Sequence, residues 1–328
     1  MTRPWAAERV VDGDEARVLV ASVATSLVDA RFTALGAGWD NTAWLVEDGG
    51  QRLVFRFPRR LVAVGCMENE LLALPLLPPL SLPLTRPLFS GRMPAATGAP
   101  DSAGSPDSDT TWPFAGYPHL DGEVLATALA AEVGPLALST QALMAIGHEL
   151  GVFLRALHSL DPKPWLDRGL TRDPIARLDV ARRLEPVSKA LSLVEREGLD
   201  TRPHREALER AMTTVLPPME SLCHGDLDPR HVLIRAGHTS GLIDWGDVNI
   251  GHPAMDLGLA FALPRAARQA FFAAYGPIAE ETMTLARARA IMSAARVYEW
   301  ARDIGDPPLA AYARTALGHT EPETALGR

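Results

Sequence analysis

At Asp121 the apolar periodicity of this 328-residue chain changes, and that change constrains the fold more than any other feature. Upstream, in "FTALGAGWDNTAWLVEDGGQRLVFRFPRR", β-branched and aromatic residues alternate with polar ones between turn signals, the two-residue period of half-buried strands. Downstream, in "ALMAIGHELGVFLRALHSL", Leu143, Ile146, Leu150, Phe153, Leu154 and Leu157 recur at three- and four-residue steps, the period of a helix with one buried face. The chain is also too long for one simple core. An α+β, bilobal fold is therefore expected: a small lobe with an antiparallel sheet over 1–120 and a larger, mainly helical lobe over 121–328. The crevice between two such lobes is the natural place for a ligand.

Within this frame the spacing predicts an opening helix over roughly Gly13 to Val28, three strands with a tight "EDGGQ" turn, and a helix in "MENELLALPLL". Two further strands follow in "PLTRPLFSG" and "WPFAGYPHL", with a flexible Pro/Gly/Ser/Asp-rich insertion at about 92–111. Helices run to about Val215, a β hairpin interrupts them at 231–243, and helices resume to the end.

The charge balance, 32 basic against 40 acidic side chains for a net −8, argues against a nucleic-acid partner, which needs a clustered cationic face. It is compatible with a cationic substrate and with an ordinary enzyme. Two cysteines, Cys66 and Cys223, are too few for a disulfide framework and lack metal-type spacing. There is neither a signal-peptide pattern nor an apolar run long enough for a membrane span, so a cytoplasmic location without membrane attachment is expected. Oligomeric state leaves no mark in the sequence.

The densest chemistry lies in "HGDLDPRHVLI", residues 224–234, followed by "RAGHTSG" and "GLID". Two short apolar strands separated by a turn signal form a hairpin. Closing it brings Asp244, at the exit of the second strand, beside Asp226 and His231 at the entrance of the first. A carboxylate before the hairpin can orient a hydroxyl and accept its proton, and an acid after it can hold a divalent cation against phosphate oxygens. Phosphoryl transfer needs that division of labour, because its barrier falls through positioning and charge neutralisation. A metallophosphoesterase-type site would need an upstream D-x-H pair, and none occurs.

"HGDLDPRH", "LIDWGD" and "GHPAMDLG" together resemble the aminoglycoside phosphotransferase and choline-kinase-like superfamily, whose signature is H-G-D-x-x-x-x-N followed by I-D-W. The resemblance implies a protein-kinase-like fold, with Asp226 as catalytic base, His224 as a structural member of the catalytic loop, Asp244 as the principal magnesium ligand and Asp256 as a brace on the loop backbone. His231 stands where most relatives carry the metal-binding asparagine, as it does in macrolide phosphotransferases. Imidazole suits Mg2+ less well than an amide oxygen and softer ions better, so His231 binds the ion directly, binds it through water, or lies outside its shell; Mn2+ joins Mg2+ as a candidate.

On the nucleotide side, Gly36 and Gly38 in "LGAGWDN" would let backbone amides approach phosphate oxygens, although a plain hairpin would read the same. The resemblance places Arg56 where relatives carry the phosphate-binding lysine; its acidic partner is Glu70, whose helical register fits better than that of Glu68. It implies that the Pro118 carbonyl and the Leu120 amide recognise the base of ATP or GTP. The acceptor, a small molecule with a hydroxyl, is expected on the helices of 163–215 and 260–316. A macrolide or aminoglycoside antibiotic and a metabolite of the choline or homoserine type are both open. A catalytically silent nucleotide-binding module, suggested by Arg56 and His231, is the alternative from another class. A protein kinase is disfavoured by the short segment from Asp244 to Asp256.

Overall fold

The computed structural model describes residues 5–94, 111–130, 137–173, 175–215 and 217–321; most of the expected insertion at 92–111 lies outside them. The chain is α+β and divides into two compact units, 1–77 with 85–120 and 245–248, and 78–84 with 121–244 and 249–328.

The first unit is built on a five-stranded antiparallel sheet in the order β1-β2-β3-β5-β4, from β1 (Arg31–Ala37), β2 (Asn41–Asp48), β3 (Gln51–Pro58), β4 (Phe89–Met93) and β5 (Trp112–Pro118). Along β3 the alternation does the sorting. Leu53, Phe55 and Phe57 are buried in the core that includes Ala16, Leu19 and Val20 of α1 (Gly13–Val23). Arg56 points the other way, toward α2 (Leu61–Ala73), where Glu70 is fully buried. The sheet closes tightly at Gly116, where an added Cβ would come 2.5 Å from the ring of Phe55.

Several boundaries differ from expectation, and α2 begins at Leu61, six residues ahead of the expected "MENELLALPLL". The opening helix stops at Val23, because Ala24 leaves the helical region at φ −144°, and a 3-10 turn over Thr25–Leu27 follows. The "PLTRPLFSG" segment is a strand only from Phe89 onward, since Pro83 and Pro87 have no N–H to give a ladder.

The second unit is mainly helical. It holds α3 (Leu125–Ala130), α4 (Thr140–His158), α5 (Lys163–Leu166), α6 (Val180–Glu195), α7 (Arg202–Met212), α8 (Ala254–Ala262), α9 (Arg265–Tyr275), α10 (Glu280–Ile304) and α11 (Pro307–His319). Its strands are short: β6 (Glu123–Val124) joins the hairpin β8 (Val232–Arg235) and β9 (His238–Leu242), and β7 (Ser221–Cys223) pairs with β10 (Asn249–Gly251). No helix of the described residues is long and apolar enough to cross a membrane.

Helices α4 and α9 approach closely because Gly147 and Gly151, one turn apart on α4, face backbone: a Cβ on either would overlap the carbonyl oxygen of Ala267 or Phe271. Backbone cannot step aside as a side-chain tip can. Gly147→Ala is therefore expected to destabilise the protein by about 1–3 kcal/mol, despite alanine's better helix propensity, as overpacking does. A thermal midpoint equal to or above that of the parent would contradict this.

Candidate active site

The hairpin is the frame of the site. Val232, Leu233 and Ile234 are buried, and the turn between the strands takes two positive-φ residues, Ala236 at 51° and Gly237 at 79°, which match the strand twist. Just after β9, Ile243 is pinned twice: its amide donates to the His231 carbonyl at 3.0 Å, and its own carbonyl accepts from His224 Nε2 at 3.1 Å. The next residue, Asp244, lies in the left-handed region at φ 63°. A non-glycine residue stays there only where its surroundings hold it.

Geometry fixes the His231 tautomer. Nδ1 lies 2.8 Å from the main-chain oxygen of Asp226, which only accepts, so Nδ1 carries the hydrogen. In the neutral ring, Nε2 then turns a lone pair toward Asp244 Oδ2 at 3.5 Å. Two acceptors facing one another are relieved by a cation or a proton between them. A carboxylate oxygen and an imidazole nitrogen fit a divalent ion whose remaining positions go to water and phosphate oxygens, as is usual for Mg2+ in phosphoryl transfer. The donor set thus fits the expected metal, and its mixed O/N character suits Mn2+ as well.

Asp226 keeps its carboxylate partly exposed, at 28% of the side chain. Arg289 Nη2 of α10 donates to its Oδ1 at 2.6 Å, and Arg230 lies 3.9 Å from Oδ2. Burial alone would raise the carboxyl pKa, but the Arg289 guanidinium, then the His231 imidazole and the Arg230 guanidinium, outweigh it and hold the group well below the usual carboxylate range. Arg230 is itself held by Asp228, which also accepts from the Tyr312 hydroxyl of α11.

Behind the loop, Asp256 of α8 is fully buried and accepts three hydrogen bonds, from the amides of His224 at 2.7 Å and Gly225 at 2.9 Å and from His158 Nε2 at 3.1 Å. His158 Nδ1 in turn meets the Tyr275 hydroxyl at 2.9 Å. Cys223 lies close enough to complete a metal-type trio with His158 and Asp256. The lone pairs are engaged, however, and burial first, then the Asp256 charge, keep the Cys223 thiol protonated. This cluster is a hydrogen-bonded brace. Burial also holds the His224 imidazole below its ordinary pKa, so it stays neutral and stacks on His231.

In the first unit, Arg56 Nη1 bonds both oxygens of Glu70, at 3.0 and 2.9 Å, while Glu68 pairs with Arg92 instead. Gly36 sits at φ 126° in a bulge of β1, and the turn beyond it is tied down by Arg59, whose Nη1 donates to the Gly38 carbonyl at 2.6 Å. Pro118 closes β5 opposite Leu53, with Leu120 two residues on. Gly36, Gly38, Arg56, Glu70, Pro118 and Leu120 thus belong to the first unit, and His224, Asp226, His231, Asp244 and Asp256 to the second.

Sequence reasoning did not single out Arg289, Arg230, His158 or Tyr275. A hint of Arg289 exists in the motif itself. Gly258 of "GHPAMDLG" lets α8 approach α10, where a Cβ would meet Arg289 Cγ at 3.1 Å.

The sequence model of the phosphotransferase enzyme family matches residues 31–291. In fold, the chain is similar to the GDP and kanamycin complex of APH(2")-IIia, with TM-score 0.66 and 18% identity over 93% of this chain and 97% of that one. It is also similar to macrolide 2'-phosphotransferase type I, with TM-score 0.55 and 18% identity over 95% and 98%. A third likeness is to macrolide 2'-phosphotransferase MphH from Brachybacterium faecium, with TM-score 0.50 and 23% identity over 88% and 91%. No curated protein matches the chain in sequence.

Proposed function

From the premise that this chain belongs to the phosphotransferase enzyme family, we propose that it moves the γ-phosphoryl group of ATP or GTP onto a hydroxyl of a small molecule. The observation that carries the reading is the gathering of Asp226, His231 and Asp244 at one end of the β8–β9 hairpin. Asp226 orients the acceptor hydroxyl and takes its proton. The acceptor oxygen forms its bond to the γ-phosphorus as the bond to the β,γ-bridging oxygen breaks, and that electron pair leaves on the nucleoside diphosphate. Arg56, steadied by Glu70, holds nucleotide phosphates. Gly36 and Gly38 offer amides to the phosphates, and the backbone at Pro118 and Leu120 takes the base. Asp244 and His231 are the residues to hold a divalent cation, which when bound neutralises charge building on the phosphate oxygens.

A carboxylate held as acidic as Asp226 is a weak base in the ground state, which suits a loose transition state in which the hydroxyl proton leaves late. The enzymes similar in fold bring antibiotics forward as acceptors. Metabolites of the choline or homoserine type are the other class. The test is mass-spectrometric detection of phosphorylated product across hydroxylated antibiotics and metabolites, with ATP and GTP in parallel and Mg2+ or Mn2+ supplied. Metal-dependent product with one acceptor class is expected. Nucleotide binding without product from any acceptor would instead favour the silent module.

A further inference from the structure

Two arginines of the second unit flank the Asp226 carboxylate, and they treat its oxygens differently. Arg289 Nη2 donates to Oδ1 at 2.6 Å. Arg230 stops 3.9 Å from Oδ2, beyond a hydrogen bond, because its Nε and its amide are both held by Asp228 Oδ1, at 2.8 and 3.0 Å. No donor among the described residues bonds Oδ2, and the carboxylate is partly exposed. One oxygen is thus fixed and the other is open. The place of Arg289 is itself built: its stem passes α8 at Gly258, where a Cβ would come 3.1 Å from Arg289 Cγ and 3.2 Å from the Ala286 carbonyl oxygen. The same side chain lines a shallow cleft with Leu227, Asp228 and Met255. It is 14% exposed, and its Nε is buried without a partner. A stranded donor opposes stability, so stability alone does not account for an arginine set here; local rules are broken in this way at functional sites.

We propose that Arg289 is a positioning residue for phosphoryl transfer, which by holding Oδ1 turns Oδ2 of Asp226 toward the acceptor hydroxyl. The inference rests on the phosphotransferase reading and deepens it. An aspartate carboxylate turns easily about its last torsion, and the Arg230 charge at 3.9 Å would draw it aside. The bond from α10 opposes that pull and leaves a single oxygen for the reaction. Oδ2 takes the hydroxyl proton, the acceptor oxygen bonds the γ-phosphorus, and the nucleoside diphosphate leaves with the electron pair of the broken bond. Arg289 touches none of these atoms. Its effect is therefore on the rate of the chemical step, where a misplacement of about 1 Å costs on the order of 100-fold, and not on the binding of nucleotide.

The test is release of inorganic phosphate by the full chain from ATP or GTP with Mg2+, water standing in for the acceptor hydroxyl. Arg289→Ala is expected to lower kcat about 10- to 100-fold while KM for the nucleotide stays within about threefold of the parent's. Arg289→Lys should recover part of the loss, and millimolar guanidinium chloride should raise the rate of Arg289→Ala but not that of the parent. In an Asp226→Asn background, Arg289→Ala is expected to change kcat by less than about threefold, since no base remains to be positioned. Should Arg289→Ala fail to fold by circular dichroism, Arg289→Lys takes its place, with a several-fold loss expected in the parent and none in Asp226→Asn. An Arg289→Ala rate equal to or above the parent's, a loss of the same size in the Asp226→Asn background, or a KM that rises as far as kcat falls overturns the proposal and leaves the phosphotransferase reading standing. A parent chain that releases phosphate from neither nucleotide removes that reading, and this inference with it.

Discussion

Asp226→Asn is expected to lower kcat for phosphoryl transfer about 10²- to 10⁴-fold, the range for loss of a positioned acid–base group, while nucleotide affinity changes little. The variant keeps the size of the side chain and removes its charge and its capacity to take a proton. It also spares the metal side, because His231 bonds the main-chain oxygen of residue 226 and Ile243 bonds His231, so the approach of His231 to Asp244 does not depend on the carboxylate. A single-turnover assay with the acceptor found by the product screen separates chemistry from binding. Turnover equal to the parent's would remove Asp226 from the role of base. A comparable loss in nucleotide affinity would mean that the substitution acts by disordering the loop.

Much of this arrangement was legible in the sequence because its causes are local. Strand alternation in β2 and β3 sets Arg56 on the face opposite Phe55 and Phe57, and the helical register of α2 brings Glu70 rather than Glu68 under it. The β8–β9 hairpin shows in the apolar run Val232–Ile234 and a glycine turn, although the turn takes only Ala236 and Gly237, and His238–Gly241, read as turn in the sequence, belong to β9. What escaped depends on distant pairing. β7 and β10 have three residues each, too few to show a period, and they meet across a separation of more than twenty residues. Arg289 lies 63 residues from Asp226, and on α10 it reads as one more polar position of an amphipathic helix. His158 and Tyr275 were hidden in the same way: one closes an apolar helix and the other sits among aromatics that stack as core, Phe271 with Tyr275 among them. A hydrogen bond across 98 residues, as between His158 and Asp256, has no sequence period to announce it.

That bond points to the largest stability effect. Asp256→Ala is expected to cost about 3–5 kcal/mol, because it leaves three buried donors without an acceptor. The carboxylate has no exposure and serves three donors, so alanine strands two loop amides and His158 Nε2 in a space with little access to water. Burial would raise its pKa, but the hydrogen bond from His158, followed by the electrostatic influence of the His158 and His224 imidazoles and the hydrogen bond from the Gly225 amide, lowers it below the usual carboxylate value. A group shifted in that direction contributes fully above its unfolded pKa and loses its contribution as pH falls through the folded one. The stability gap between the parent and Asp256→Ala should therefore be constant near neutrality and close only in acid, which urea titrations at several pH values would measure. A gap that instead closed as pH rose above neutrality would show that the brace depends on a protonated His158. A gap below about 1 kcal/mol throughout would mean that the amides of His224 and Gly225 find water, and that the loop carrying Asp226 is positioned by the hairpin alone.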